Sequence, residues 1–534
     1  HIRITYQSSR PAMQKKGMIL EFASSAYRET AGAFTWESEN VTAQNVDVHF
    51  MHGFGWLVQM STDVYYYDCD FMPREGSGHV TVSYADGIHA SGASGDFVIE
   101  NCNFSHTHDD PINLHGTFTR VEQKTDDHTL TLKYIHTQQG GFPQFHEGDK
   151  VAFFTRDTLE STDNETLYTV DEVISNPGES GNDLRTMRVR FKETLPANLT
   201  DQISGQPKYV AENVTYTPKV TIRGCTFKDV PTRGILCTTR QPVLIEDNVF
   251  YNMSMATIYL SNDSDEWYES GPIRDMTIRG NTFYIKSIGR TSWEYAPAVY
   301  VNPVTKGKGL PSADNPIHKN ITIEENTFYM DTDTVVKAES VENLSIRNNK
   351  IMRANPVSIR LEASEAQEDG TARLLEGTSM GLSVDAQWKR YTKSTENAYE
   401  FTKCKNVTLE GNTYDDGLKL YAVLSGMPDE YLNNLDPDIQ IAYDRNQPAK
   451  DPTGEIQFAS SSPDVLSVNK YGQMTGLKPG KATVYAYFAW NGTQILSNEI
   501  SVTVAGKSEL DPADTVTIKE PAKTPVLTEK NATF

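Results

Sequence analysis

The chain has 534 residues and a formal net charge of −22, a length that suits one large domain with one or two smaller ones. The acidity argues against nucleic acid or an anionic membrane as partner, because phosphates need a basic patch, and no apolar run approaches a membrane span. The five cysteines, Cys69, Cys102, Cys225, Cys237 and Cys404, include no C-x-x-C and are too sparse and odd in number for a disulfide framework or a zinc ribbon.

The first residue is His1 rather than Met, as expected of a processed product that has lost a secretory signal. A secreted, periplasmic or cell-surface bacterial protein is therefore expected. By residue 40 a pattern begins: an Asn/Asp-like residue, an apolar, any residue, an apolar, turn formers, then an apolar. It closes at Val48, Phe71, Phe104, Phe227, Phe250, Phe283, Phe328, Ile351 and Tyr414, with intervals of 23, 33, 123, 23, 33, 45, 23 and 63 residues. The recurring 23 is the unit, and the longer gaps are one unit plus an insertion. No amphipathic cap precedes the first unit, so further rungs are expected upstream.

A strand, a tight turn and a second strand cannot bury a core alone. Stacked, they form a right-handed parallel β-helix with strands about 4.8 Å apart along the axis. Cys69, Cys102, Cys225, Asn248, Asn281, Asn326, Asn349 and Asn412 share one turn position and should form an internal ladder. A second column contains Ile88, Ile112, Ile235, Ile258, Val299 and Val336, each followed two residues later by a second inward side chain. The residues between, His89, Asn113, Leu236, Tyr259, Tyr300 and Lys337, should then face solvent and form a groove.

The acids of "DGIHASG" and "SHTHDDPINLHG" fall beside that groove. Asp86, Asp110 and Arg233 each stand two residues before an inward isoleucine, so they should stack on consecutive rungs. Asp109 has the opposite pleat parity and should point elsewhere. A lone Asp-Asp pair is usually a solvated turn, but two stacked acids, an offset third and a guanidinium do not fit that reading.

Within the helix, 1–116 and 213–436 are the two parts of the repeat. Residues 117–212 show short β-like alternations and read as an inserted β-barrel that walls the site. The stretch "DEWYESG" is a further insertion; Trp267 or Tyr268 could stack on a sugar and Glu269 could bind hydroxyls, unless the loop is only packed structure. Residues 437–505, with "SSPDVLSVNKYGQMTGLKPGKATVYAYF", resemble a bacterial immunoglobulin-like group 2 module, a β-sandwich. Residues 506–534 are Pro-, Lys- and acid-rich and read as a linker or tail. The whole is an all-β chain.

Three carboxylates on a β-helix groove point to glycosidic bond cleavage. Inverting hydrolysis needs a protonated acid and a carboxylate base roughly 6.5–9.5 Å apart, leaving room for water. Asp109 is the expected general acid, with Asp86 and Asp110 jointly activating water. Arg233 would counterbalance the acids or bind a substrate hydroxyl. His89, Asn113 and His115 lie beside the acids as binding candidates, His115 equally as a structural hydrogen-bonding residue; Tyr259, Tyr300 and Trp293 are further groove candidates. His106 and His108 flank Asp109, but their neighbours supply no closed ligand set, so no metal and no cofactor is expected.

The stretches "DGIHASGASGDFVIENCNFSHTHDDPINLHGTF" at 86–118, "VPTRGILCTTRQPVLIEDNVFYNM" at 230–253 and "SDEWYESGPIRDMTIRGNTF" at 264–283 resemble glycoside hydrolase family 110. These are α-1,3-galactosidases that remove terminal α-galactose from blood group B and related glycans, with inversion and without metal. The resemblance covers roughly residues 1–435 and implies Asp86, Asp109 and Asp110 as the catalytic acids. Its implied partner is a glycan with terminal α-galactose, branched or linear; a homodimer is compatible with the pattern. A more distant resemblance to polygalacturonases lacks the His and Arg-x-Lys motifs expected there. A calcium-dependent lyase and a non-enzymatic adhesin on the same fold are the remaining alternatives.

Overall fold

A computed structural model describes residue 28 and residues 30–505, except 180, 286–296, 331–333, 354–363, 367–371, 375–396, 415–419, 444–456, 470–473, 491–492 and 497–498. The groove candidate Trp293 and the tail 506–534 lie outside the described residues. The chain divides into two compact units, His1–Ile439 and Gln440–Phe534.

The first unit is built on a parallel β-helix. One of its parallel stacks runs through Ala33–Trp36, Trp56–Tyr67, Ile88–Glu100, Ile112–Lys124, Ile235–Cys237, Ile258–Leu260, Val299–Val301 and Val336–Glu339. The expected register is met at each step: Ile88 pairs Ile112, Ile112 pairs Ile235, Ile235 pairs Ile258 and Ile258 pairs Val299. A second stack uses the C-terminal halves of the long early strands, then Lys219–Arg223, Val243–Glu246, Met276–Arg279, His318–Glu324 and Val341–Arg347. The third has, among the described residues, nine short strands, from Asp47–Val48 to Thr413–Tyr414.

The repeat's closing aromatic fills the interior. Phe71, Phe104, Phe227, Phe250, Phe283 and Phe328 stack with centroids 4.6 to 5.1 Å apart and planes within 12°. Beside them runs the turn ladder. The backbone N–H of Cys69 donates to Cys102 Sγ and that of Cys102 to Cys225 Sγ, each at 3.4 Å. From Asn248 onward each side-chain amide donates to the next Asn Oδ1 at 2.9 or 3.0 Å. Asp436 ends the ladder by accepting from Asn412 Nδ2 at 2.7 Å.

Asn281 is fully buried. Its Nδ2 donates to Ile245 O, Arg279 O and Asn326 Oδ1, and its Oδ1 accepts from the backbone and side-chain N–H groups of Asn248. Asn281→Ala orphans partners on both neighbouring rungs, and each buried unsatisfied group costs about 1–3 kcal/mol. The expected result is a loss of roughly 3 kcal/mol or more of unfolding free energy, measured by denaturant titration followed by circular dichroism. A loss below about 1 kcal/mol would show that the ladder is not a stabilising element.

Strand Ile112–Lys124 belongs to two structures. Its first residues pair with Ile88–Ser91 in the helix. Its later residues close an antiparallel ring with Thr129–Lys133, Thr186–Phe191, Tyr168–Ser175, Lys150–Thr155 and Tyr209–Asn213. Tyr134, Phe153, Val189, Leu132 and Leu130 fill that ring.

In the second unit, Gly480–Trp490 pairs antiparallel with Gln457–Ser460, Thr493–Leu496 and Ile500–Val504. A ribbon pairs Leu466–Val468 with Met474–Gly476, and Val465, Leu466, Ala482 and Val484 form a small core. Among the described residues no helix is long and apolar enough to cross a membrane.

Candidate active site

The acids lie at the turn entering the first stack. Bridge Ser83–Thr107 and pair Ile88–Ile112 share one offset and flank Asp86, placing it across from Asp110. Two glycines let these backbones approach. A Cβ on Gly87 would meet Pro111 O at 2.6 Å, and one on Gly55, whose φ is +81°, would meet Asp86 O at 2.0 Å. Any side chain there would push the acid-bearing turns apart.

The three carboxylates have different surroundings. Asp110 is buried against Arg233, whose Nη1 donates to Oδ2 at 3.0 Å and to Oδ1 at 3.3 Å. Arg233 also lies over the Tyr259 ring, 4.8 Å from its centroid. Asp109 accepts from Arg28 Nη2, and its charge acts on both Asp86 and Asp110, so despite its opposite pleat parity it shares their site. Its side chain is 22% exposed, against 3% for each of the other two. Asp86 is buried beside His89 instead of a cation, with His89 Nδ1 2.5 Å from its Oδ2.

Burial lifts Asp86 well above the usual carboxylate range, and the Asp109 charge adds to this. Burial also lifts Asp110, to about 8, although the Arg233 guanidinium opposes it. The same burial lowers both imidazoles, His89 to about 4, although Glu269 pulls the other way.

Hydrogen-bond bookkeeping agrees with these directions. His115 Nδ1–H donates to Gly116 O at 2.6 Å, leaving Nε2 as an acceptor. That Nε2 faces His89 Nε2 at 3.1 Å, so with neutral rings the proton between them belongs to His89. His89 Nδ1 is then bare, and its contact with Asp86 requires the proton to come from the acid. This assignment follows from satisfying the network, since hydrogens are inferred from partners. The sequence stack of Asp86, Asp110 and Arg233 thus separates into one neutral acid held by histidines and one carboxyl held by arginine.

Glu269 joins the site from the loop after Leu260. Glu269–Ser270 pairs antiparallel with Gly116–Thr117, so Glu269 Oε1 lies 3.4 Å from both Asn113 Nδ2 and His115 Nε2. Asn113 Oδ1 is buried without a hydrogen-bond partner among the described residues. Trp267 packs on His136, with centroids 4.4 Å apart, and lies 6.0 Å from the Arg28 guanidinium.

Several expectations change. His89, Asn113 and Leu236 point away from the helix core, yet they are buried rather than solvent-facing. The antiparallel Glu269–Ser270 segment lies on the strand bearing Asn113, and the inserted ring begins on that strand too. Tyr268 is not available to stack on a sugar: it is buried, and its OH accepts from Arg156 Nη2 at 2.9 Å. Tyr259 has its OH bound by Asn302 Nδ2 at 2.5 Å. Tyr300 accepts from Lys337 Nζ at 2.7 Å. His106 and His108 flank the acid turn, and no group of three or more His, Cys, Asp or Glu among the described residues is arranged to hold a metal.

Three residues escaped the sequence reading. Arg28 precedes the first recognisable repeat. Asp263 accepts backbone N–H groups from Asp265, Glu266 and Trp267 at 2.8, 2.8 and 2.9 Å, folding the loop that presents Trp267 and Glu269. Arg156 is buried in the insertion and grips the same loop through Asp265 Oδ1 at 3.4 Å and Tyr268. An Asp followed by polar residues at a strand end is a turn signal that could have flagged Asp263; nothing local marks Arg28 or Arg156.

Three carboxyl groups, two guanidiniums and a covering loop thus meet at one face of the β-helix. The family described as right handed beta helix region matches residues 209–368. Curated relatives named "Alpha-1,3-galactosidase A" occur in Peterkaempfera griseoplana, Streptomyces avermitilis and Bacteroides fragilis. The first is 34% identical over 94% of this chain and 66% of its own. The second is 40% identical over 66% of this chain and 53% of its own, the third 35% identical over 61% and 51%. The chain spans between 51% and 66% of the length of these relatives. By sequence it belongs to the α-1,3-galactosidase family, glycoside hydrolase family 110.

Proposed function

We propose that this chain is an inverting exo-α-1,3-galactosidase that removes terminal α-1,3-linked galactose from blood group B or linear α-galactosyl glycans. The observation that carries this reading is the carboxyl trio of Asp86, Asp109 and Asp110 on one β-helix face, in a chain related to α-1,3-galactosidases. An extracellular or cell-surface setting belongs to the same proposal, with residues 437–505 as an accessory immunoglobulin-like module.

Asp109 donates the proton to the departing glycosidic oxygen. It is the most exposed of the three, so it can regain a proton from solvent after each turnover, and Arg28 stabilises the carboxylate left behind. Asp110 takes the proton of the attacking water. Asp86, about one strand spacing away, holds that water while His89 and His115 keep it neutral. A pair this close suits one shared water better than opposite sides of a sugar, which require roughly 6.5–9.5 Å.

Proton NMR during the first minutes of hydrolysis of a linear α-1,3-galactosyl trisaccharide tests the reading. β-Galactose should appear first. Initial α-galactose would overturn the water-activating pair, and no galactose at all would overturn the activity.

A further inference from the structure

The groove does not stop at the acids. Toward the N-terminal end of the helix, His89 pairs with Leu57 and Leu57 with Phe34, while Ser91 pairs with Gln59 and Gln59 with Trp36. Phe34 therefore shares the outward column of His89, two strand spacings or about 10 Å upstream, and Trp36 that of His115, three spacings or about 14 Å upstream. Their rings are parallel within 6° and 6.0 Å apart. Both are about half exposed, at 52% and 46%.

These rings border a cavity of about 310 Å³ whose lining also includes Arg28, Phe54, Gln59, His89, Thr117 and Gln139. The cavity is continuous with the acid site: Arg28 binds Asp109 and His89 binds Asp86. Two lining oxygens await partners. Thr117 Oγ1, on a buried residue, and Gln139 Oε1 are both buried without a hydrogen-bond partner among the described residues. On the other side of the acids the groove is occupied by the chain itself, through Arg233 over Tyr259, Tyr259 against Tyr300 and Lys337 over Tyr300.

Flat apolar rings beside unpaired hydroxyl and amide oxygens match a pyranose, which has apolar C–H faces and a rim of hydroxyl donors. We propose that this cavity is the subsite for the neutral sugars on the leaving side of the scissile bond. Phe34 and Trp36 form its stacking platform, and Thr117 and Gln139 accept sugar hydroxyls. The inference rests on the galactosidase reading and extends it to the recognition of the remaining glycan.

The test compares two substrates. α-Galactosyl fluoride carries no leaving sugar, whereas a linear α-1,3-galactosyl trisaccharide fills the cavity. Trp36→Ala should lower kcat/KM on the trisaccharide by about tenfold or more, chiefly through KM, because a lost aromatic anchor weakens binding. Release of fluoride should stay within about twofold of wild type, since uniform binding of the leaving sugar is the only interaction removed. Equal losses on both substrates would place galactose itself in the cavity and overturn the proposal, as would no loss on either. If Trp36→Ala fails to fold, the free disaccharide leaving group decides the matter on the wild type. It should inhibit trisaccharide hydrolysis competitively and quench tryptophan fluorescence; absence of both overturns the subsite. A wild type inactive on both substrates would instead sink the galactosidase reading.

Discussion

Asp109→Asn is expected to lower kcat on an α-1,3-linked galactoside by roughly 10²–10⁴-fold, the usual contribution of a positioned general acid. The same variant should recover most of its rate on α-galactosyl fluoride, whose departing fluoride needs far less protonation. Asp110→Asn should lose a similar factor and recover little, because the water still lacks its base whatever the leaving group. The two variants should also differ in stability. Asp110 is held in a buried site that favours its neutral form. A carboxyl whose folded pKa is raised binds more protons in the folded than in the unfolded state. Stability therefore falls as pH climbs from the ordinary carboxylate range toward about 8. An asparagine keeps the shape and loses that dependence, so Asp110→Asn should melt higher than wild type at pH 8 and lose the difference toward pH 4. Fluoride rescue of Asp110→Asn but not of Asp109→Asn would exchange the roles of acid and base.

Much of this site was legible because a β-helix converts sequence spacing into position. Once the unit of 23 is found, the pairing of Ile88, Ile112 and Ile235 follows, and Asp86, Asp110 and Arg233 come with it. The pleat likewise sends Asp109 to another partner. What the repeat could not supply was anything arriving from outside the rungs. Arg28 has no repeat position to betray it, yet its guanidinium is the charge partner of Asp109. Glu269 was recognisable as a loop acid, but its antiparallel pairing with Thr117 depends on Asp263 and Arg156, which fix a loop between two insertions. Burial was misjudged for the same reason. Alternation tells whether His89 points away from the core, but not whether another segment will cover it. The histidine network required that cover, since exposed imidazoles would lack the burial that keeps them neutral.

Arg233→Gln is expected to move the acidic limb of the kcat/KM profile to higher pH, with its largest loss near pH 6. The base must be ionised before it can take a proton from water, so wild-type activity should climb with pH toward the Asp110 value of about 8. Burial and the Asp109 charge raise the pKa of that carboxyl, and Arg233 lowers it. Removing the guanidinium leaves the raising influences unopposed. Each unit by which the limb moves costs about tenfold in rate on its acid side. Glutamine retains hydrogen-bond donors toward Asp110 but carries no charge, and Arg233→Lys restores the charge without the planar fork. The lysine variant should therefore bring the limb back toward wild type even if its maximum rate stays lower. A purely structural role for Arg233 would lower activity at every pH by the same factor and leave the limb where it was. Rate measurements from pH 5 to 9 on α-galactosyl fluoride read the base alone, because that substrate relieves the demand on Asp109. A limb that stays fixed in Arg233→Gln, or moves toward acid, would remove Asp110 from the role of base.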